Sequence, residues 1–295
     1  MSDTNNRRGI IAMLVAVALF TVMDACLKLL SPHYPPMQMA ALRGLASLPL
    51  VAIWVLASGR AATLLRVRWR LHLFRGLLGI AMMASFSWAL RTLPLATAYS
   101  LFFVAPLLIT ALSGPLLGET VGRSRWLAIA FGLVGMLVAL RPTGEGLQLL
   151  PALAVLFAAS GYALSAITVR VLSRTDSTQA MVFWLVLLLG AGAGLAAAPH
   201  WVAIAPEHGW TILALSLCGT GGQIAITTAF SKGEASVIAP LEYSALAWAL
   251  GLDLLLWQAL PDGMTMLGAA IIIAAGVFLI RREAAPKAAL PECSS

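Results

Sequence analysis

Asp24, Lys28, Arg43, Glu242 and Asp253 are ionisable residues set inside long apolar runs. If those runs cross a bilayer, each charge costs about 2.5–3.5 kcal/mol near a helix centre on insertion scales. Side chains that bear such a cost face a cavity or one another, as solute contacts, proton carriers or structural ion pairs. Asp24 and Lys28 are four residues apart and share one helical face. Arg43 lies as far beyond Pro36 as Asp24 lies before Ser31, so Asp24, Lys28 and Arg43 are expected at one depth. Two readings stand for this cluster: an ion pair locking two helices together, or part of a substrate path or gate. Glu242 follows Pro240, and a proline there removes a backbone donor and frees carbonyls toward a cavity. Glu242, Tyr243 and Ser244 thus offer a carboxylate, a phenol and a hydroxyl in succession. Asp253 lies nearer a span end, where snorkelling or pairing competes with a functional role.

Cys218-Gly219-Thr220-Gly221-Gly222-Gln223 is glycine-rich and polar at mid-span. It reads either as close helix packing, which small residues permit, or as a ligand-facing turn with Gln223 as its polar contact. Trp88, Tyr99, Phe102, Tyr162 and Trp248 lie deep within apolar runs. Most deep aromatics pack a core, and those facing a cavity would make an apolar pocket with polar points.

Enzyme chemistry finds little footing. The four histidines, His33, His72, His200 and His208, fall in loops or at span ends. No His-Glu-x-x-His pair, Gly-x-Ser-x-Gly turn or glycine-rich phosphate loop occurs. Asp24 and Asp253 could nominally form an intramembrane aspartyl pair. Gly251-Leu252-Asp253 lacks the local sequence of such proteases, and Lys28 beside Asp24 favours the ionised form over an acid. Cys26, Cys218 and Cys293 have no metal or redox spacing. No metal and no cofactor are expected.

The elements that must position these groups are membrane helices. Sixty per cent of the residues are hydrophobic and eleven per cent charged, which excludes an ordinary soluble domain. Apolar runs at about 8–30, 36–57, 71–90, 95–116, 125–140, 149–170, 179–198, 209–230, 235–257 and 263–280 read as ten transmembrane helices. With the amino terminus in the cytoplasm, fifteen of the nineteen lysines and arginines fall on the cytoplasmic side, Arg75 among them. Only Arg91 and Arg141 fall outside, while Lys28 and Arg43 lie within spans. That asymmetry follows the positive-inside rule and puts both termini in the cytoplasm. The basic loops need no nucleic acid, since arginines beside span ends set topology and meet anionic lipid.

An internal echo divides the chain. Ala96-Thr97-Ala98, with a span closing at Gly118-Glu119, is matched 139 residues later by Ala235-Ser236-Val237, with a span closing at Trp257-Gln258. Residues 1–148 then form one five-helix repeat, 149–283 a second, and 284–295 a cytoplasmic tail. Five spans is an odd number, so the second copy starts on the opposite face. The repeats are inverted, which is a device for alternating access around a central cavity.

Leu90-Arg91-Thr92-Leu93-Pro94-Leu95-Ala96-Thr97-Ala98, Ala105-Pro106 and Leu117-Gly118-Glu119 together resemble the motif of EamA-type proteins of the drug/metabolite transporter superfamily. Ala41-Leu42-Arg43 resembles the family's second-helix arginine, and the second half departs from the pattern where Gln258 replaces a glutamate. The resemblance implies a multi-pass carrier of a bacterial-type inner membrane that exports small metabolites. Within the family the chain looks most like the YddG-type aromatic and neutral amino-acid exporters. On that expectation Glu242, Tyr99, Ser244, Gln223 and Tyr243 supply polar contacts, and Trp88, Tyr162 and Trp248 wall the pocket. Glu119 is expected to be a structural turn element. A broad drug or nucleotide-sugar carrier is the transport alternative, but only Lys28 and Arg43 could meet sugar-nucleotide phosphates inside spans. A lipid-handling or structural bundle is the alternative outside transport.

Overall fold

The computed structural model describes residues 3–30, 32–89, 101–140, 149–245, 248, 251–252, 255 and 263–284. Its helices are α1 (Asp3–Leu30), α2 (Pro36–Ala57), α3 (Trp69–Ala89), α4 (Ala105–Leu117), α5 (Arg123–Leu140), α6 (Leu149–Leu172), α7 (Thr178–Ala197), α8 (Gly209–Lys232), α9 (Ala235–Ile238) and α10 (Gly263–Ala284). No strand occurs among the described residues. Asn5–Leu27, Pro36–Ala57, Leu149–Leu172, Thr178–His200 and Pro206–Lys232 are each long and apolar enough to cross a membrane, and Ala105–Leu117 is a shorter apolar helix. Large side chains such as Ile53, Leu77 and Phe157 remain more than half exposed, surface that hydrocarbon rather than water would solvate.

Local chemistry sets the helix ends. Pro36 opens α2 behind an extended Pro35, where a missing N–H costs nothing. Ser177 caps α7, its hydroxyl accepting from the Ala180 amide at 3.2 Å. Gly118 ends α4 at φ +71°, a left-handed conformation that glycine adopts without strain.

The most extensive helix pairings are α1 with α8, α2 with α7, α5 with α10, and α3 with α6. Exchanging helices one to five with helices six to ten maps this set onto itself. The helices of the first half therefore pair chiefly with those of the second. At the centre of the α2–α7 crossing, a Cβ on Gly190 would stand 3.0 Å from the backbone of Gly44 and Leu45. Gly190→Ala is expected to destabilise the fold by about 1–3 kcal/mol, the usual cost of overpacking. Gly194→Ala, with only Leu45 at 3.7 Å, is the matched control and leaves the unfolding midpoint in detergent unchanged.

α8 runs unbroken through Cys218–Gln223, so this segment is not a ligand-facing turn. A Cβ on Gly222 would meet the Phe20 ring at 2.8 Å, and one on Gly221 would meet Leu19 at 2.9 Å. These glycines serve the close approach of α1. Arg75, counted among the cytoplasmic-side arginines, is buried near the start of α3, 2% exposed and donating to the Met181 carbonyl at 3.3 Å and the Ser165 hydroxyl at 3.5 Å.

One turn earlier, His72 Nε2 lies 2.8 Å from Asp176 Oδ2 in the α6–α7 connection. The Arg68 amide donates to the same oxygen at 3.1 Å, and Thr175 donates to Oδ1 at 2.6 Å. Burial alone would raise the Asp176 pKa, but these hydrogen bonds and the nearby imidazole outweigh it and hold the carboxyl below its ordinary value. A carboxyl depressed in the folded state stabilises above its unfolded pKa of about 3.9 and loses that contribution as pH falls through the folded value. Stability in detergent is therefore expected to drop on acidification below about pH 4. Asp176→Asn should cost about 2 kcal/mol at neutral pH and flatten this acid limb, as thermal unfolding at several pH values would report.

Candidate functional site

Two helices are broken at related places. Leu101 and Phe102 are helical, Phe103 and Val104 form a turn, and α4 resumes at Ala105-Pro106. α9 lasts one turn before the chain tightens into a 3-10 stretch, Ala239–Ser244, with Pro240 near its start. The 139-residue shift carries Leu101–Val104 onto Pro240–Tyr243. Each proline withholds an N–H and loosens its own turn. The breaks are joined directly: Tyr243 donates its phenol to the Phe103 carbonyl at 3.1 Å, with the two rings 5.7 Å apart. Tyr243 is seated against α5, where a Cβ on Gly132 would come 2.5 Å from its ring.

The other side of the α9 break carries the chemistry. Tyr162 of α6 donates to Glu242 Oε1 at 2.9 Å. Phe102 lies 5.8 Å from the Tyr162 ring, and Phe86 lies 5.6 Å beyond in a T-shaped contact. The Ser244 hydroxyl is buried with no hydrogen-bond partner among the described residues. A half-buried carboxylate retaining acceptor capacity, a phenol fixed against it, a row of rings and an unused hydroxyl thus meet where the backbone is irregular. Such a constellation can hold an ammonium or other donor group with an apolar or aromatic body beside it.

The structure brings Glu242, Tyr162 and the backbone of Ser244 together and assigns Tyr243 to fastening the two breaks. Gln223 donates to Thr227 at 3.3 Å on its own helix. Trp88 and Trp248 are 43% and 48% exposed, and no described ring stacks on either. Tyr99 and Asp253 lie outside the described residues, as does the side chain of Lys28. Asp24 and Arg43 attract one another, Asp24 with an exposed side chain and Arg43 with its guanidinium 5.4 Å from the Phe20 ring centre.

A second polar constellation, absent from the sequence-based expectations, ties the α4–α5 connection to the start of α9. Glu119, delivered by the Gly118 turn, accepts from the amides of Ala235 at 2.9 Å and Ser236 at 3.1 Å, and from the Ser236 hydroxyl at 3.0 Å. The carboxylate thereby caps α9 from the other half of the chain. Arg125 donates to the Ser236 hydroxyl at 2.7 Å and pairs with Glu234, while Arg170 lies 3.6 Å from Glu119. Asn6 accepts from the Glu234 amide at 3.0 Å. The signal for this latch was the repeated Ala-Thr/Ser pair followed by Glu119 or Gln258.

Residues 7–141 match the EamA-like transporter family. The chain is 26% identical over 282 residues to the pseudopaline exporter of Pseudomonas aeruginosa, covering 94% of this chain and 97% of that one. It is 28% identical over 284 residues to a riboflavin transporter of Vibrio cholerae, covering 94% of each. An S-adenosylmethionine uptake transporter of Rickettsia felis is 27% identical over 215 residues, 72% of each chain. A solved crystal structure at 20% identity superposes with a TM-score of 0.82 over 94% of this chain and 99% of its own, a likeness of fold. With its apolar helices, a family match over residues 7–141 and transporters aligned along nearly its whole length, the chain is similar to membrane transporters of the EamA-like family.

Proposed function

We propose that this protein carries small amphiphilic metabolites bearing a protonated amine, neutral and aromatic amino acids first among them, outward across a bacterial-type inner membrane. The observation that carries the reading is Glu242, held by Tyr162 at the α9 break beside the Phe102–Phe86 rings and the unpartnered Ser244 hydroxyl. An ammonium meets the carboxylate, and the rings take the apolar body. The substrate carboxylate finds hydroxyl donors at the same irregular backbone. The relatives move different solutes, one of them by uptake, so the chemistry of this pocket rather than kinship selects the substrate.

The proposed architecture is ten spans, with both termini cytoplasmic and inverted repeats at 1–148 and 149–283 around a central cavity. The exchange symmetry of the helix pairings and the matched breaks in α4 and α9 support it. Because the halves interlock, the broken helices are the natural moving parts of an alternating-access cycle.

Reconstituted vesicles loaded with labelled phenylalanine, threonine and methionine test the substrate claim, with riboflavin and S-adenosylmethionine as competitors. Saturable efflux of at least one amino acid is expected. Flux no greater than from protein-free vesicles would end the amino-acid claim, and flux of riboflavin alone would reassign the pocket to flat heteroaromatic solutes.

A further inference from the structure

An open groove of about 780 Å³ lies away from the α9 break, between the α2–α3 and α6–α7 connections. Ala62, Thr63, Leu65 and Arg66 form one wall, and residues 173–177 form the other. Its walls are held at a fixed separation. The Thr63 and Ser177 hydroxyls are 2.8 Å apart across it. Trp184 of α7 donates to the Leu64 carbonyl at 3.0 Å and stacks edge-on against Trp69 at 4.4 Å. The His72–Asp176 contact ties the far wall to α3. Two exposed guanidiniums, Arg66 and Arg174, line the groove, and neither is engaged by another described side chain. Asp176 also lines it, but it is 8% exposed and its oxygens are taken by His72, the Arg68 amide and Thr175. The groove's available charge is therefore positive.

Two guanidiniums beside hydroxyls at a rigid opening are suited to a phosphate group, which guanidinium forks bind in paired hydrogen bonds. The rim is apolar: Leu65 is 76% exposed within the groove, and Trp69, the first residue of α3 just outside it, is 42% exposed. A soluble anion has no use for that rim, whereas a lipid presents chains and phosphate together. We propose that this groove binds the headgroup phosphate of an anionic phospholipid from the adjoining leaflet, with Arg66 and Arg174 on the phosphate and Leu65 and Trp69 against the upper acyl chains. Lipid bound there bridges the α2–α3 and α6–α7 connections, and so fastens one half of the chain to the other.

The full-length protein, purified in neutral detergent, is titrated in separate arms with dioleoylphosphatidylglycerol, dioleoylphosphatidylcholine and inorganic phosphate, and retained ligand is counted by native mass spectrometry. The double variant Arg66→Gln/Arg174→Gln is compared with Arg60→Gln/Arg70→Gln, which removes the same charge outside the groove. Phosphatidylglycerol is expected to be retained over phosphatidylcholine and to bind roughly thirtyfold more weakly to the groove variant, as two lost juxtamembrane charges imply. The control variant should bind as the native protein does. Equal loss in both variants would show diffuse surface charge and overturn the proposal, as would equal retention of the two lipids. Displacement of phosphatidylglycerol by millimolar inorganic phosphate would make this a soluble-anion site and overturn it too. Should the double variant fail to elute as a single folded species, Arg66→Gln and Arg174→Gln are compared singly on the same readout.

Discussion

Glu242→Gln is expected to lower substrate flux in reconstituted vesicles about a hundredfold while leaving the folded yield unchanged. Glutamine keeps the side-chain volume and an oxygen that can accept the Tyr162 hydroxyl, so the 2.9 Å contact and the packing around it survive. What disappears is the negative charge opposite a substrate ammonium. A charge-assisted hydrogen bond contributes about 1.5–3 kcal/mol, and each 1.4 kcal/mol is tenfold in affinity, which sets the size of the effect. Tyr162→Phe leaves the carboxylate in place but unfixed. Its flux should fall about tenfold and recover at higher substrate concentration, since the loss is in positioning. Tyr243→Phe separates the two roles. It cuts the bond to Phe103 without touching Glu242, so substrate binding measured at equilibrium is retained while turnover falls. Native flux from Glu242→Gln would remove the carboxylate from the site and leave the rings as mere packing.

The sequence made the membrane legible because lipid tolerates few mistakes. Apolar runs of spanning length are imposed by the solvent and survive any detail of packing. Glu242 stood out as a candidate for the same reason: a carboxylate beside Pro240 in a hydrophobic run is costly to bury. Its partner was harder to find, since Tyr162 lies 80 positions away and was grouped with the pocket walls on depth alone. The Cys218–Gln223 glycines illustrate an ambiguity of small residues, which suit a bound ligand and a neighbouring helix equally well. Only the Phe20 ring lying over Gly222 decides it. Arg75 was counted on the cytoplasmic side because it lies near a helix start, with no sign that it would be buried. A guanidinium satisfied by Met181 and Ser165 can be buried there, and no local pattern announces that. Glu119 was read as a turn element from its place after Gly118, and the turn is real. That its carboxylate caps a helix 116 positions away depends on the two halves interlocking, which the repeat implied only in outline.

That capping contact is expected to govern which end of the carrier opens. Glu119→Ala should lower transport at least tenfold and expose the end of the bundle that it now closes. Ile10, Met13, Ile109, Phe230, Val237 and Ile238 are buried in one cluster beside it. The first amides of α9 have Glu119 as their acceptor, as the opening amides of a helix have no carbonyl of their own helix to bond. Removing three charge-assisted bonds, at about 1.5–3 kcal/mol for the first and less for those water can replace, is expected to shift the open population by about 2–3 kcal/mol, roughly 30- to 150-fold. On the proposed inverted repeats, the 139-residue shift takes Glu119, Arg125 and Glu234 to Gln258, Met264 and Leu95, a set with one neutral amide and no charged pair. Closure at the Glu119 end is therefore the expected resting state of the proposed cycle, and its release the step the latch is expected to control. Val237→Cys gives a direct readout, because Val237 is fully buried on the latched turn. The introduced thiol should resist a membrane-impermeant maleimide in the otherwise native protein and react with it once Glu119→Ala is added. Arg125→Ala should open the end less, since Glu119 still caps α9, and exchanging the charges in Arg125→Glu/Glu234→Arg should recover part of the loss. Native transport by Glu119→Ala, with the thiol still protected, would reduce the contact to a helix cap with no part in the cycle.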